Sequence, residues 1–217
     1  MHRIVSLFLM AISFTAWAFS AWSGELEIAA AKGDANAQFQ LGEMYLKDDG
    51  VSKDAAKAAE WHQKSAAQGH ARAQSRLGAM YAKGEGVPKD AAKAVEWLEK
   101  AAAQNDVDAL FQLGTIYARG DIVRNDNTKA AGWYQKAAAL GHARAQSSLG
   151  AMYAKGEGVP KNLILAYAWF NLSAKQEDFK GMKGRNTLEN QLTDPELEEG
   201  NRLSENWKKG DILQQQQ

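Results

Sequence analysis

The stretch His70–Gln104, HARAQSRLGAMYAKGEGVPKDAAKAVEWLEKAAAQ, contains a short helical pattern, a glycine-rich turn and a second helical pattern, after which the same order begins again. Three marker residues of this pattern recur every 36 residues. They are Gly42, Gly78, Gly114 and Gly150; Tyr45, Tyr81, Tyr117 and Tyr153; and Trp61, Trp97, Trp133 and Trp169. A fixed period of about 20 to 50 residues is typical of solenoid proteins, in which each unit packs on its neighbours.

Each unit is predicted to contain two helices, because alanine is abundant and runs of β-branched residues are scarce. The predicted first helices are Ala35–Lys47, Ala71–Lys83, Val107–Arg119 and Ala143–Lys155, and the second helices are Ala55–Gln68, Ala91–Gln104, Asn127–Leu140 and Leu163–Gln176. A glycine inside each first helix would cost about 1 kcal/mol relative to alanine. Its recurrence indicates that a neighbouring helix approaches too closely for a Cβ atom. The tryptophan of each second helix is predicted to be the large anchor between helices.

The turns between the paired helices read KDDGVSKD, KGEGVPKD, RGDIVRND and KGEGVPKN. Their glycines allow the positive φ that ends a helix, and the valine is placed to fill the hairpin. The second helices are predicted to be capped by Asp54, Asp90, Asp126 and Asn162. Ile122 stands where the other three units have glycine, which predicts a differently shaped turn in the third unit.

The first 23 residues have the order of a secretory signal peptide, with the basic start Met1–Arg3, the apolar run Ile4–Phe19 and then small residues. The run is shorter than the roughly 20 residues that cross a bilayer as a helix. Cleavage could follow Ala18, Ala21 or Ser23, and the sequence does not distinguish among these three sites. We therefore expect an exported protein of a bacterial periplasm, with secretion or an uncleaved N-terminal membrane anchor as the alternatives.

The rest of the chain is divided by the repeat. The predicted segments are a capping half-repeat over 24–34, repeats over 35–70, 71–106, 107–142 and 143–178, C-terminal capping helices over 179–210 and a disordered tail over 211–217. The last second helix, LILAYAWFNLSAKQ, is unusually apolar, which indicates that a further element packs on it. The helices Phe179–Leu192 and Asp194–Lys208 would supply that element, and Thr193 with Glu196 forms a capping box between them.

Composition and motifs indicate no catalytic, cofactor or metal site. The chain has 26 basic and 26 acidic residues, so its net charge does not indicate nucleic-acid binding. It has no cysteine, which excludes disulfides and thiolate chemistry. The GEGVPK turns are not phosphate-binding loops, because no Ser or Thr follows the lysine. Metal-ligand spacing is missing for His62, His70 and His142, which are predicted to be surface residues at helix starts.

The recurring pattern A-x-A-Q-x-x-L-G-x-M-Y-x-x-G-x-G-V-x-x-D-x-x-x-A-x-x-W-x-x-x-A-A resembles the Sel-1-like repeat, a relative of the tetratricopeptide repeat. The match covers Ala35 to about Lys175. The resemblance implies an all-α fold, a right-handed α-solenoid of helix-turn-helix repeats that serves as a scaffold or adaptor for other proteins. Exported bacterial members of the family are associated with envelope signalling and with the assembly of envelope complexes.

The resemblance also implies that a partner binds on the concave surface lined by the first helices, at positions that vary between units. These positions are Asn36, Phe39, Gln40, Glu43, Lys47, Arg72, Ser75, Arg76, Ala79, Lys83, Asp108, Phe111, Gln112, Thr115, Arg119, Arg144, Ser147, Ser148, Ala151 and Lys155. Phe39 and Phe111 stand out, because serine replaces them in the other two units. Each is either an anchor for a partner side chain or a packing residue against the adjacent first helix.

Three functions follow from the resemblance. The one we expect is a non-enzymatic adaptor that binds an envelope protein or peptide. A hydrolase of cell-wall or β-lactam-like substrates is the second, but the relatives to which that activity is attributed carry a cysteine pair in each repeat, and this chain has none. A peptidoglycan- or polysaccharide-binding scaffold is the third, and it would need more exposed aromatic residues than the two candidates. The sequence leaves the oligomeric state open.

Overall fold

A computed structural model describes residues 24–47 and 51–213, and every regular element in that part of the chain is a helix. Residues 24–31 form α1. The repeat helices are α2 (Ala35–Lys47), α3 (Ala55–Ala67), α4 (Ala71–Lys83), α5 (Ala91–Ala102), α6 (Val107–Arg119), α7 (Asn127–Ala139), α8 (Ala143–Lys155) and α9 (Leu163–Ala174). They are followed by α10 (Phe179–Glu189) and α11 (Asp194–Asn206). The predicted all-α fold of repeated helix pairs, an α-solenoid architecture, is confirmed, and the second helices end one or two residues earlier than predicted.

The chain divides into two compact units, with the boundary between Ala101 and Ala102 at the end of α5. In the first unit, α2 packs on α3 and α3 on α4. In the second unit, α6 packs on α7, α7 on α8 and α8 on α9. In α4, Gly78 faces Leu98 of α5. Each first helix therefore has its own second helix as a neighbour, as the helix-turn-helix pattern predicts.

The glycine of the Leu-Gly step marks the closest approach of the two helices in each repeat. A Cβ atom on Gly78 would lie 2.7 Å from Leu98 Cγ, and one on Gly114 would lie 2.6 Å from Tyr134 Cδ1. Carbon atoms pack at about 3.5–4.0 Å, so neither methyl group fits without a shift of the opposing side chain. The predicted reason for the glycine is confirmed. The opposing residue, however, is the one after the tryptophan, at His62, Leu98, Tyr134 and Phe170.

The tryptophans of the four repeats differ in burial. Trp169 is fully buried, whereas Trp61, Trp97 and Trp133 are only half-buried. In those three repeats the ammonium group of the lysine three residues later lies 4.1–4.4 Å from the centre of the indole ring. The lysines are Lys64, Lys100 and Lys136. The open side of each indole is therefore partly shielded by a cation–π contact, and Trp61 also packs against the core residues of α1 and α2.

The turn of the third repeat is held differently from those of the second and fourth. In the second repeat the N–H groups of Gly84 and Glu85 both donate to Met80 O, and the fourth repeats this arrangement. In the third repeat, Asn125 Nδ2 donates to the carbonyl oxygens of Tyr117 and Ala118 at 3.1 and 2.7 Å. A side-chain amide thus satisfies carbonyls at the end of α6, as the departure at Ile122 predicts.

The C-terminal helices α10 and α11 both pack on α9, the apolar second helix of the last repeat. Within this contact Gly184 lies against Phe170, Gly200 against Tyr167, and Asn171 Nδ2 donates to Ser204 Oγ at 2.8 Å. The Thr193 N–H donates to Glu196 Oε2 at 2.8 Å, the Glu196 arm of the capping box that the sequence predicts. The apolar run in the last repeat is therefore covered by these two helices.

Two predicted segments fall wholly or partly outside the described residues. The predicted signal peptide, residues 1–23, lies entirely outside them. Of the tail predicted to be disordered, residues 214–217 lie outside them. Residues 211–213 are held in place, because Trp207 Nε1 donates to Asp211 O and Leu213 is buried. The predicted disorder does not apply to these three residues.

Candidate partner-binding surface

The predicted surface residues of the first unit differ in exposure. Those with exposed side chains are Asn36, Gln40, Lys47, Arg72, Arg76 and Lys83. Glu43, Phe39 and Ala79 are half-buried, and Ser75 is buried. Ser75 was predicted to be exposed, and that prediction is wrong because its side chain lies on the inner face of α4, beside the buried Ala73, Gln74 and Leu77.

Phe39 packs within the protein rather than standing free. Its ring is stacked on the ring of His70, with centroids 4.8 Å apart, and is tilted against His62 at 5.5 Å. His70 is the N-cap of α4, where its Nδ1 accepts the N–H of Ala73 at 3.2 Å. Phe39 therefore contacts the start of the adjacent first helix, which agrees with the second of the two interpretations of this residue.

Beside Phe39, Glu43 is at the centre of a charged cluster. Arg76 meets its carboxylate with Nε 2.7 Å from Oε1 and Nη2 3.2 Å from Oε2, and Lys47 Nζ lies 3.3 Å from Oε2. His62 Nε2 lies 3.6 Å from Oε1, beyond hydrogen-bonding distance. Glu43 thus joins α2 to α4 through Arg76, and it offers little free charge to a partner.

His62 is fully buried, so the prediction that it lies on the surface is wrong. Its ring fills the space opposite Gly42, and neither ring nitrogen makes a hydrogen bond with the described residues. Burial lowers the pKa of His62 from 6.5 to about 4, with smaller effects from Glu43, which raises it, and from Arg76 and His70, which lower it. The imidazole is therefore neutral near pH 7. The sequence signal that was overlooked is its position directly after the tryptophan.

The second unit repeats the aromatic arrangement around Phe111. Its ring is stacked on His142 at 4.5 Å and tilted against Tyr134 at 5.7 Å, while the Arg144 guanidinium lies 4.9 Å from the ring centre. Tyr134 OH donates to Thr115 Oγ1 at 3.2 Å, and burial raises the pKa of Tyr134. Phe111, like Phe39, contacts the histidine at the start of the next first helix.

The remaining predicted residues of the second unit fall into three groups. Asp108, Arg119, Arg144 and Lys155 are exposed. Gln112, Thr115, Ser148 and Ala151 are half-buried. Ser147 is buried and its Oγ donates to Arg144 O, so the prediction that it is exposed is wrong for the same reason as at Ser75.

Helices α8, α9 and α10 line a cleft of about 660 Å³ in the second unit. Its apolar residues include Ala151, Phe170 and Leu188, of which the last two are buried. Its basic residues are Lys155, Lys161, Lys180 and Lys183, all of them exposed. No Asp or Glu lines the cleft. Ser147, Ser148, Ala151 and Lys155 of this cleft are among the residues predicted from the sequence, whereas the residues from α9 and α10 are not, because only the fold brings them to α8.

Among residues 24–47 and 51–213, no group of three or more His, Cys, Asp or Glu side chains is placed to hold an ion. The same part of the chain contains no helix long and apolar enough to cross a bilayer. What these residues do provide is exposed charge on helix faces and one apolar, lysine-rimmed cleft.

The four repeats match a family model described as Sel1 repeat, over residues 35–70, 71–106, 107–142 and 143–178. The Sel1 repeat protein from Oxalobacter formigenes is 35% identical over 76% of this chain and 48% of its own, with a TM-score of 0.69. A protective antigen with an SLR fold from uropathogenic Escherichia coli strains, c5321, is 32% identical over 85% of this chain and 48% of its own, with a TM-score of 0.55. This chain therefore spans about half the length of either protein. A comparison with curated proteins finds no match.

The matched stretches follow one another without a gap and cover well over half of the chain. They coincide with the 36-residue units that the glycine, tyrosine and tryptophan series delimit. The helix pairs of the structure occupy the same units. The chain therefore belongs to the Sel1 repeat family.

Proposed function

We propose that this protein is a non-enzymatic scaffold of the bacterial cell envelope that binds a partner protein or peptide on the faces of its first helices. Sel1 repeat proteins are generally protein-interaction scaffolds, which supports the class of function. The signal-like composition of residues 1–23 supports export, with the periplasm as the compartment.

The observation that carries the proposal is the contrast between the two kinds of position on the first helices. The alanine, leucine and glycine at the packing positions repeat from unit to unit, whereas the exposed position occupied by Asn36, Arg72, Asp108 and Arg144 differs in charge. Arg72 is exposed and makes no ion pair with the described residues, and Arg144 is exposed over the Phe111 ring. Because the helix pairs already order the backbone at these positions, little backbone conformational entropy is lost when a partner binds.

The proposal is tested by affinity capture from envelope extract with the purified protein and with the variant Arg72→Glu/Arg144→Glu. The matched control is Lys57→Glu/Lys129→Glu, which makes the same charge change on the second helix of one repeat in each unit. We expect the wild type and the control to capture one envelope protein in equal amounts. The first-helix variant should capture about tenfold less of it. Thermal unfolding of all three proteins should differ by only about 2 °C.

Two results would contradict the proposal. Equal capture by the first-helix variant and the control would exclude the first-helix faces as the binding surface. Enrichment of cell-wall fragments without a protein would favour the glycan-binding alternative instead. Export is tested separately, by locating the full-length chain in periplasmic and cytoplasmic fractions.

A further inference from the structure

We propose that the cleft between α8, α9 and α10 binds an acidic peptide segment that carries an apolar side chain between its carboxylates. This inference rests on the proposed function and adds the chemistry of the partner. It concerns the last repeat of the second unit, where the C-terminal helices turn a repeat surface into a cleft.

The charge of the cleft is unbalanced. Four lysines line it and no carboxylate does. Lys155 is 3.6 Å from Glu157, an exposed ion pair of little strength. Lys161, Lys180 and Lys183 make no ion pair with residues of the described chain. Three ammonium groups thus face one concave space without a counter-charge, although the whole chain carries equal numbers of acidic and basic residues.

An apolar surface lies beneath the lysines. Ala151, Ala154 and Leu163 are half-buried there, and they pack against the buried Phe170 and Leu188. Gly184 allows α10 to lie close to the Phe170 ring, since an added Cβ atom would be 2.5 Å from Phe170 Cε1. An apolar side chain from outside would remove this surface from water, which favours binding by about 25 cal/mol for each Å² buried.

A ligand that satisfies both features is constrained in size and composition. A volume of about 660 Å³ is within the range of sites that enclose a small ligand or a few residues of a peptide. Ser148, Thr187 and Gln191 add hydrogen-bonding groups along the cleft, which suit peptide amides. A short acidic segment with one leucine-sized side chain would therefore pair its carboxylates with the lysines and bury the side chain below them.

The test is fluorescence anisotropy with the purified protein and a fluorescein-labelled peptide, Asp-Glu-Asp-Leu-Asp-Glu. Two further peptides separate the contributions, one with serine in place of leucine and one with lysine and arginine in place of the acids. We expect the serine peptide to bind about tenfold more weakly and the basic peptide not to bind. Binding of the acidic peptide should weaken as the salt concentration rises from 50 to 300 mM, because added salt screens the attraction between exposed charges.

The residues are tested with Lys180→Glu/Lys183→Glu, for which about a tenfold loss of affinity is expected. The matched control, Lys208→Glu/Lys209→Glu, makes the same charge change in the same unit outside the cleft and should bind like the wild type. If the first variant does not fold, as judged by circular dichroism, Lys161→Glu in the turn before α9 takes its place.

The inference would be overturned if the cleft variant and the control lost the same affinity for the acidic peptide. It would also be overturned if the leucine and serine peptides bound equally well. Binding to phosphatidylcholine vesicles with 30% phosphatidylglycerol that depends on Lys180 and Lys183 while no peptide binds would overturn it as well, because the site would then recognise a lipid surface. If the acidic peptide does not bind but an envelope protein is still captured through Arg72 and Arg144, the cleft inference fails and the proposed function stands.

Discussion

Replacing His62 with leucine is expected to stabilise the protein and to remove part of its sensitivity to mild acid. His62 is fully buried opposite Gly42, and neither nitrogen of its ring makes a hydrogen bond with the described residues. A buried polar group without a partner costs about 1–3 kcal/mol. Leucine is compatible with this position, because Leu98 occupies the equivalent place opposite Gly78. At pH 7 we therefore expect the variant to gain about 1 kcal/mol in free energy of unfolding.

The larger effect appears below pH 6.5. Burial lowers the pKa of His62 in the folded protein to about 4, whereas the unfolded chain takes up the proton near 6.5. As the pH falls through this window the unfolded state binds a proton first, so the folded state loses stability. The loss is about 2 kcal/mol at pH 5 and about 3 kcal/mol below pH 4, at 1.36 kcal/mol per unit of pKa. Above pH 6.5 both states are neutral and the contribution is constant.

The assay is urea unfolding of wild type and His62→Leu at several pH values between 4.5 and 7.5. Carboxylates also titrate in this range, but they are common to both proteins and largely cancel in the difference. The reciprocal variant, Leu98→His, should acquire the same dependence on pH that His62→Leu loses. A difference between wild type and His62→Leu that stays constant from pH 7.5 to 4.5 would refute the argument, since it would show that His62 is protonated equally in the folded and unfolded states.

Two further pairs of variants test the packing. Gly114→Ala should destabilise the protein by about 1–3 kcal/mol, because its Cβ would lie 2.6 Å from the Tyr134 ring, whereas Gly132→Ala, in a helix with nothing within 4 Å of the new Cβ, should stabilise it by up to about 1 kcal/mol. Thermal unfolding distinguishes them, and two variants with shifts of the same sign would contradict the close approach of α6 and α7. Trp169→Ala should cost about 3–5 kcal/mol and Trp133→Ala clearly less, because only Trp169 is fully buried. Equal losses in denaturant unfolding would show that the partly exposed indole is as strongly packed as the buried one.

The predicted surface illustrates what periodicity can and cannot tell. Arg72 and Arg144 are exposed as predicted, because each stands one position before the first buried residue of its helix, Ala73 or Ala145, and so lies off the buried face. Ser75 and Ser147 belong to the same set by sequence but are buried, because their side chains lie on the inner faces of α4 and α8 with the other buried residues of those helices. A helical wheel shows which residues share a face, but it does not show how many elements pack on that face.

The sequence by itself determined the repeat, the bounds of the first helices and the reason for the glycine in each of them. These are local or periodic properties, since capping residues, helix formers and a 36-residue period can all be read along one chain. Tertiary structure decided the rest. Whether Trp61 or His62 faces Gly42 depends on the rotation of α3 against α2, and the two residues are adjacent in sequence. The lysines of the C-terminal cleft come from α8, the following turn and α10, so only the packing of α10 on α9 brings them together.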